Sequence, residues 1–411
     1  MRSEGGLVER LRSHYGRLNP DRIGVAVSGG SDSLALLHAA VAWGEASIEA
    51  VTVDHGLRPE AAREAAHVGA LCAGLGVPHT VLRWEGWDGR GNLQDHARQN
   101  RYALIAGWAK ARGLASVALG HTMDDQAETL VMRLAREAGV EGLASMRLVF
   151  DREGVRFDRP FLFDRRADLR AYLEARGVDW VDDPSNDDES FGRVRARRAM
   201  EVLGTLGIGT EELFRVALNL RDASDALGRM AAEFARGKVK SAGGDLILDR
   251  TALRRQPAEI VRRILGHALM FVGSAGYPPR RDALERVVAG VETQGNATLH
   301  GCLVMVSDMT VRITREHAAV AGLRAPTDAL WDGRWRLAGP HAPDPEVRAL
   351  GAAVAGCADW RATGLPRATL LASPSVWRGE TLVAAPLAGT GGGWTAEAPG
   401  AADFAAFLIS H

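Results

Sequence analysis

The amino-acid sequence predicts an α/β fold on a parallel sheet over residues 1–208, a mainly helical α+β domain over 209–322 and a small C-terminal domain over 323–411. Three observations lead there. Apolar strand-like runs alternate with helical patterns from Ile23 to about residue 180, as expected of a parallel sheet covered by helices on both faces. The first run ends in a glycine-rich turn that opens a helix. The alternation then breaks at Leu203-Gly-Thr-Leu-Gly-Ile-Gly-Thr210, before a long helical stretch from Glu211 to about Lys240.

The first strand is Ile23 to Val27, followed by Ser28-Gly29-Gly30-Ser31-Asp32-Ser33 and a helix through Leu34 to Trp43. Ile48 to Val53 is the second strand and ends on Asp54-His55; His79 to Trp84 is the third. A helical pattern from Asn92 to about Arg112 precedes the strand Ser116 to Leu119, which ends on Gly120-His121, and Trp180-Val181 reads as a later strand. Ligands of such sheets bind beyond the carboxyl ends of the strands, where the strand order reverses, so these three strand-end segments are expected to share one crevice. Past residue 240, a strand at Leu246 to Arg250, a helix near Pro257 to Val272 and alternation over Ala297 to Ile313 indicate the smaller α+β domain. The last segment begins near Ala325-Pro326 and holds five of the ten tryptophans: Trp331, Trp335, Trp360, Trp377 and Trp394. Spread so widely, they read as small-domain core, with base stacking as the alternative.

Ser28 to Ser33 has the make-up of a phosphate cradle. Adjacent glycines admit positive φ and close approach of the backbone, successive amides and serine hydroxyls supply donors, and the following helix adds its positive end. No GxxxxGK[ST] pattern or neighbouring lysine is present, so this is not a Walker A loop. Asp32 would repel polyphosphate by itself, which points to a bridging Mg2+, a hard cation that takes a carboxylate together with phosphate oxygens. The competing reading is a turn that only caps a helix.

Three further motifs carry candidate chemistry. In His121-Thr-Met-Asp124-Asp125-Gln-Ala-Glu128-Thr129 the acids fall on adjacent helical turns, suited to a cation, although acids in a first turn also serve the helix dipole. In Ala97-Arg98-Gln99-Asn100-Arg101-Tyr102 two arginines lie one turn apart, within reach of a phosphate or on a solvated face. In Asp182-Asp-Pro-Ser-Asn-Asp-Asp-Glu189, followed by Arg193, Arg195, Arg197 and Arg198, a turn caps a basic helix whose crowded guanidinium groups would be relieved by a polyanion.

Composition narrows the class. With 46% hydrophobic residues the 411-residue chain can build more than one core. Its first sixteen residues are polar and charged and its longest apolar run, Leu34 to Trp43, is too short to cross a bilayer, so a cytoplasmic protein without membrane contact is expected. Cys72, Cys302 and Cys357 stand far apart, which excludes a CxxC pair or a disulfide framework and suggests buried thiols. The net charge of −1 hides an arginine-rich basic set with only three lysines, Lys110, Lys238 and Lys240, and guanidinium groups grip phosphate bidentately.

Taken in order, Ser28-Gly-Gly-Ser-Asp-Ser33, Val53-Asp-His-Gly-Leu-Arg58, Ala97 to Tyr102, His121 to Thr129 and Asp183-Pro-Ser-Asn186 with its arginine helix resemble the tRNA(Ile)-lysidine synthetase family, a branch of the N-type ATP pyrophosphatases. The resemblance covers residues 20 to 200; beyond 210 it lies only in layout. It implies the PP-loop fold of the adenine nucleotide alpha-hydrolase type. The implied reaction is ATP-dependent ligation of free L-lysine to C2 of the wobble cytidine of tRNA(Ile) with a CAU anticodon, by way of an adenylated cytidine, with release of AMP and pyrophosphate.

Carried over by position, Ser28, Gly29, Gly30, Ser31, Asp32 and Ser33 would hold ATP, with Asp54 and His55 beside them and Asp32 on Mg2+. Asp32, Arg101, Asp125, Glu128 and Arg197 would be catalytic, and Asp124, Asp125, Glu128, Arg193, Arg195 and Arg197 would meet lysine or tRNA. Val194 and Ala196 depart from the family's more usual Asn and Ile, which leaves open which of Arg193, Arg195 and Arg197 is catalytic. The middle domain would contact tRNA, and the protein would act as a monomer or homodimer. The competing functions are a PP-loop tRNA thiolase, disfavoured by the absence of cysteine pairs, and a non-catalytic RNA-binding protein with a nucleotide-sensing domain.

Overall fold

The computed structural model describes residues 6–54, 56, 61–84, 93–181 and 192–410. It divides into two compact units, Met1–Ala223 and Ser224–His411.

In the first unit, helix α1 (Gly6–Tyr15) leads into β1 (Arg22–Ala26), α2 (Ser31–Trp43), β2 (Ser47–Asp54), α3 (Ala61–Gly74), β3 (His79–Arg83), α4 (Leu93–Arg112), β4 (Val117–Leu119) and α5 (Met123–Leu134). A short α6 (Val140–Leu143), the strands β5 (Val149–Arg152) and β6 (Val155–Asp158), α7 (Arg166–Glu174), α8 (Gly192–Gly204) and the start of α9 (Thr210–Lys238) complete it. The sheet order is β3-β2-β1-β4-β6-β5, parallel throughout except for the β5–β6 pair. Because β1 lies between β2 and β4, the chain moves outward from it in both directions, and the reversal point falls at the carboxyl ends of β1 and β4.

Side chains alternate across β1. Ile23, Val25 and Val27 join Leu7, Leu11, Leu34, Leu37, Val68 and Leu169 in a core under α1, α2, α3 and α7. Ala26 faces the other way, toward Tyr102, Ile105 and Trp108 of α4. On that second face Gly24 is required by packing, since a Cβ there would fall 2.8 Å from Trp108 Cζ3 and 3.1 Å from Leu114 Cδ1.

Trp180-Val181 is not a strand. The Val181 N–H instead donates to Gly29 O at 3.2 Å, so the segment runs to the glycine turn and not to the sheet edge. In its place the sheet gains the β5–β6 hairpin, whose turn residues Glu153 and Gly154 both take positive φ, 52° and 66°. Two such residues suit the tight hairpin turn whose twist matches its strands.

In the second unit a five-stranded antiparallel sheet comprises β7 (Val239–Ala242), β8 (Asp245–Asp249), β9 (Ala297–Leu299), β10 (Cys302–Val306) and β11 (Thr310–Arg315) in the order β7-β8-β11-β10-β9. Leu246, Leu248, Val304 and Ile313 of this sheet meet Ile260, Ile264 and Leu269 of the helix Ala258–Gly273 and Phe404 and Leu408 of the helix Ala401–Ser410. The final helix thus completes the core of the preceding segment. The tie is reinforced by Thr369 Oγ1, which donates to Asp245 Oδ2 at 2.6 Å, and by Arg334 Nη1, which donates to Val272 O at 2.9 Å. Trp331, Trp335 and Trp394 are buried in a separate apolar cluster with Val347 and Val376, and Trp360 and Trp377 are half-buried. The core reading therefore holds for Trp331, Trp335 and Trp394. Cys72, Cys302 and Cys357 are free and buried.

Candidate active site

The turn after β1 is organised by one hydroxyl. Ser33 Oγ accepts from the Ser28 N–H at 3.1 Å, donates to Gly30 O at 3.0 Å and lies 3.2 Å from Ser28 Oγ. Ser33 thus closes the loop on itself, where the sequence suggested a donor aimed at a ligand. Gly29 has φ +90°, a conformation that L side chains rarely adopt. The N–H groups of Ser31, Asp32 and Ser33, in the first turn of α2, take no backbone partner among the described residues, because the first backbone bond of the helix runs from Leu34 N to Gly30 O at 3.1 Å. Such an end offers donors and positive dipole charge to an anion.

The turn after β4 is pressed against this loop. A Cβ on Gly120 would lie 2.9 Å from Asp32 O and 3.0 Å from Ser33 Cα, so only glycine lets the two strand ends meet this closely. Helix α5 then begins with a capping box: Asp125 Oδ2 accepts from the Thr122 N–H at 2.8 Å and from Thr122 Oγ1 at 3.0 Å. Its other oxygen, Oδ1, faces Arg166. Glu128, one turn on, is 1% exposed, and its Oε2 has no hydrogen-bond partner among the described residues.

Arg166 gathers these acids and is the residue that the sequence reading missed. Its Nε donates to Asp32 Oδ2 at 2.9 Å, Nη2 to Asp125 Oδ1 at 3.2 Å and Nη1 to Glu128 Oε1 at 3.1 Å. The signal was present: Arg165-Arg166 opens a helix, and cations are unfavourable at the positive end of a helix unless acids face them. Burial works against the guanidinium charge, but Asp125, Asp32 and Glu128 outweigh it and hold the group charged. Burial raises the Asp32 carboxyl above its ordinary value, an effect that Arg166 only partly offsets. At Asp125 burial also pushes upward, while Arg166, Arg193 and the Thr122 N–H pull the carboxyl downward.

The other predicted residues distribute around this centre. Arg197 Nε donates to Glu128 Oε1 at 2.8 Å, and Arg193 Nη1 lies 3.9 Å from Asp125 Oδ1. Four residues apart on α8, the two share the helix face turned to α5, whereas Arg195 projects from another side. Val194 and Ala196 are buried beneath them, so the departures from the family pattern fall at packing positions. Arg101 is half-buried on α4, and its charge acts on His121. His121 is held well below the usual imidazole range, first by burial and then by Arg159, whose Nε donates to His121 Nδ1 at 3.2 Å. A ring that accepts at Nδ1 is neutral, with its proton on Nε2.

Asp124 and Asp54 hold backbone. Asp124 Oδ2 accepts from the Arg166 N–H at 2.7 Å, and Asp54 Oδ1 accepts from the Gly56 N–H at 2.9 Å. His55, the Asp182–Glu189 run and the side chain of Arg98 lie outside the described residues.

The donor set suits the groups that the resemblance implies. Among the described residues no three His, Cys, Asp or Glu side chains are arranged to enclose a metal ion. Asp32 alone at the phosphate loop matches the habit of Mg2+, which takes few protein carboxylates and completes its shell with phosphate oxygens and water. The unpartnered Glu128 Oε2, beside Asp125, suits an ammonium donor.

The chain is similar to several known proteins. A family model described as a PP-loop domain matches residues 6–203. The tRNA(Ile)-lysidine synthase of Ruegeria pomeroyi is 48% identical over 410 residues, 98% of each chain. That of a Bradyrhizobium species is 39% identical over 317 residues, 71% of this chain and 88% of the relative. Among solved structures, a U34-tRNA thiolase from Methanococcus maripaludis superimposes with a TM-score of 0.46 at 15% identity, covering 53% of this chain and 78% of the thiolase.

Proposed function

The chain belongs to the tRNA(Ile)-lysidine synthase family, and we propose that the crevice at the ends of β1 and β4 performs the family's reaction. That reaction is ATP-dependent joining of L-lysine to C2 of the wobble cytidine in tRNA(Ile) with a CAU anticodon. The observation that carries the site assignment is the meeting of Asp32, from the β1–α2 junction, with Asp125 and Glu128, from the β4–α5 junction, around one cationic group.

The roles divide by chemistry. ATP supplies the adenylyl group that turns the cytidine C2 oxygen into a leaving group. The N–H groups of Ser31, Asp32 and Ser33 and the α2 dipole are aimed where negative charge grows as pyrophosphate departs. Asp32 would hold Mg2+ at that point. Asp125 and Glu128 would bind the ε-ammonium of lysine, with Oε2 of Glu128 open to accept from it.

The amine must lose a proton to attack, and with an ordinary pKa of about 10.4 its neutral form at pH 7 costs roughly 4 to 5 kcal/mol. Carboxylates bind the ammonium yet oppose its deprotonation unless a nearby group takes the proton. In this reading Glu128 orients the amine while a phosphate oxygen of the adenylated base receives the proton. Arg193 and Arg197 approach the same acids and, with Arg101 of α4, would steady the α-phosphate and the tRNA backbone, with Arg197, which touches Glu128, as the catalytic one. No helix among the described residues is long and apolar enough to cross a membrane, and we place the reaction in the cytoplasm.

The decisive experiment is mass spectrometry of unmodified CAU-anticodon tRNA incubated with the protein, ATP and isotopically labelled lysine. Label at the wobble base, with AMP and pyrophosphate as products, is the expected result. ADP and orthophosphate, or sulfur at the base, would overturn it.

A further inference from the structure

Arg166 spans the two places where the proposed reaction needs cations. Each of its three guanidinium nitrogens is committed to a different carboxylate: Nε to Asp32 at the phosphate loop, and Nη1 and Nη2 to Glu128 and Asp125 on α5. Its backbone is fastened separately, through the N–H that donates to Asp124 Oδ2 at 2.7 Å, so the side chain can leave while α7 stays seated. The position is the positive end of α7, where the helix dipole disfavours a cation. The acids alone hold the guanidinium there.

Removing it without replacement would leave three partly or fully buried carboxylates facing one another, an arrangement that is strongly unfavourable. A metal ion on Asp32 replaces only the Nε contact. An ammonium on Asp125 Oδ1 and Glu128 Oε2 supplies the charge that the other two carboxylates need and displaces the guanidinium from Asp125. Both together replace all three.

Resting on the function proposed above, we infer that Arg166 is a positioning residue that couples the two substrate sites: one guanidinium must withdraw before either metal-bound nucleotide or lysine is fully seated. The ligand that arrives first meets the cost of displacing it. The second binds without that cost, so each ligand tightens the other by the same factor.

The test is calorimetric titration of L-lysine into the full chain, with and without Mg2+ and a non-hydrolysable ATP analogue, and the reverse titration. For the unaltered protein the expected result is lysine binding tighter by about 5-fold or more with the analogue present, and the same factor in reverse. Arg166→Gln should bind lysine alone more tightly than the unaltered protein does and show coupling reduced to less than about 2-fold. Arg166→Lys, which keeps the charge but cannot reach three carboxylates at once, should fall between.

Absence of coupling in the unaltered chain, or full coupling retained in Arg166→Gln, overturns the inference. Should Arg166→Gln melt early or bind neither ligand, Arg166→Lys decides, and full coupling there is equally fatal. A protein that ligates lysine without such coupling refutes only this inference, whereas one that ligates none refutes the site assignment.

Discussion

Glu128 on α5 receives two guanidinium groups on a single oxygen: Arg197 Nε stands 2.8 Å and Arg166 Nη1 3.1 Å from Oε1. The doubling leaves Oε2 with no partner among the described residues although the side chain is buried. Glu128→Gln keeps the shape and removes the charge. Loss of a charge-assisted bond of about 1.5–3 kcal/mol predicts a lysine KM higher by roughly 10- to 100-fold. Steady-state kinetics with lysine as the varied substrate checks it, and an unchanged KM removes Glu128 from lysine binding.

In the proposed reaction Asp32 would act on the nucleotide. Asp32→Asn should abolish ATP-dependent release of pyrophosphate in the presence of tRNA, while tRNA binding measured by gel shift persists. Adding Mn2+ should not restore activity, since the carboxylate itself is gone. Pyrophosphate release at the unaltered rate would eliminate metal bridging by this residue.

Packing behind the sheet gives a stability prediction. The Cβ of Gly24→Ala would enter the space of Trp108, 2.8 Å from its ring. Overpacking of this kind costs about 1–3 kcal/mol, which thermal unfolding would register as a Tm lower by several degrees. Because Gly24 is remote from the crevice, lysine KM below the transition should be unchanged.

A pH prediction comes from Asp158, whose side chain is fully buried against His14 Nε2 at 2.9 Å and Arg156 Nη2 at 3.0 Å. Burial opposes its charge, but hydrogen bonds from His14, Arg156 and Ser116 prevail and hold the carboxyl below its ordinary value. A carboxyl depressed in the folded state contributes stability that is complete above its unfolded value of about 4 and is lost as pH falls through the lower folded value. Asp158→Asn should therefore lower Tm at pH 7, and the gap to the unaltered protein should narrow as pH falls below about 4. Parallel curves would exclude the linkage.

The sequence made the sheet and its crevice legible because β1, β2 and β4 are short apolar runs ending in residues with distinctive chemistry. The helix expected from Glu211 emerges as Thr210–Lys238, and the one near Pro257 as Ala258–Gly273. Asp32, Asp125, Glu128 and Arg197 could be named because they sit in compact motifs, and the structure brings these four to one place. Arg166 could not be named in that way. It lies 134 residues from Asp32 and 38 from Glu128, and its importance comes from tertiary approach, with only an ill-placed pair of arginines to mark it. The β5–β6 hairpin was hidden because Asp151, Arg152 and Glu153 interrupt its apolar alternation and its Glu-Gly turn is a weak signal. The tasks of Asp124 and Asp54 were ambiguous for the opposite reason: acids at helix and strand ends serve backbone and ligands equally well.

The contact of Gly120 with the first turn of α2 has a consequence for how the enzyme meets its reactants. Because these two turns lie so close, the spacing between the phosphate loop and the acids of α5 is laid down when the protein folds. What remains adjustable is the placement of side chains. Chemistry between separate reactants can then proceed without the scaffold having to be rebuilt around the last to bind.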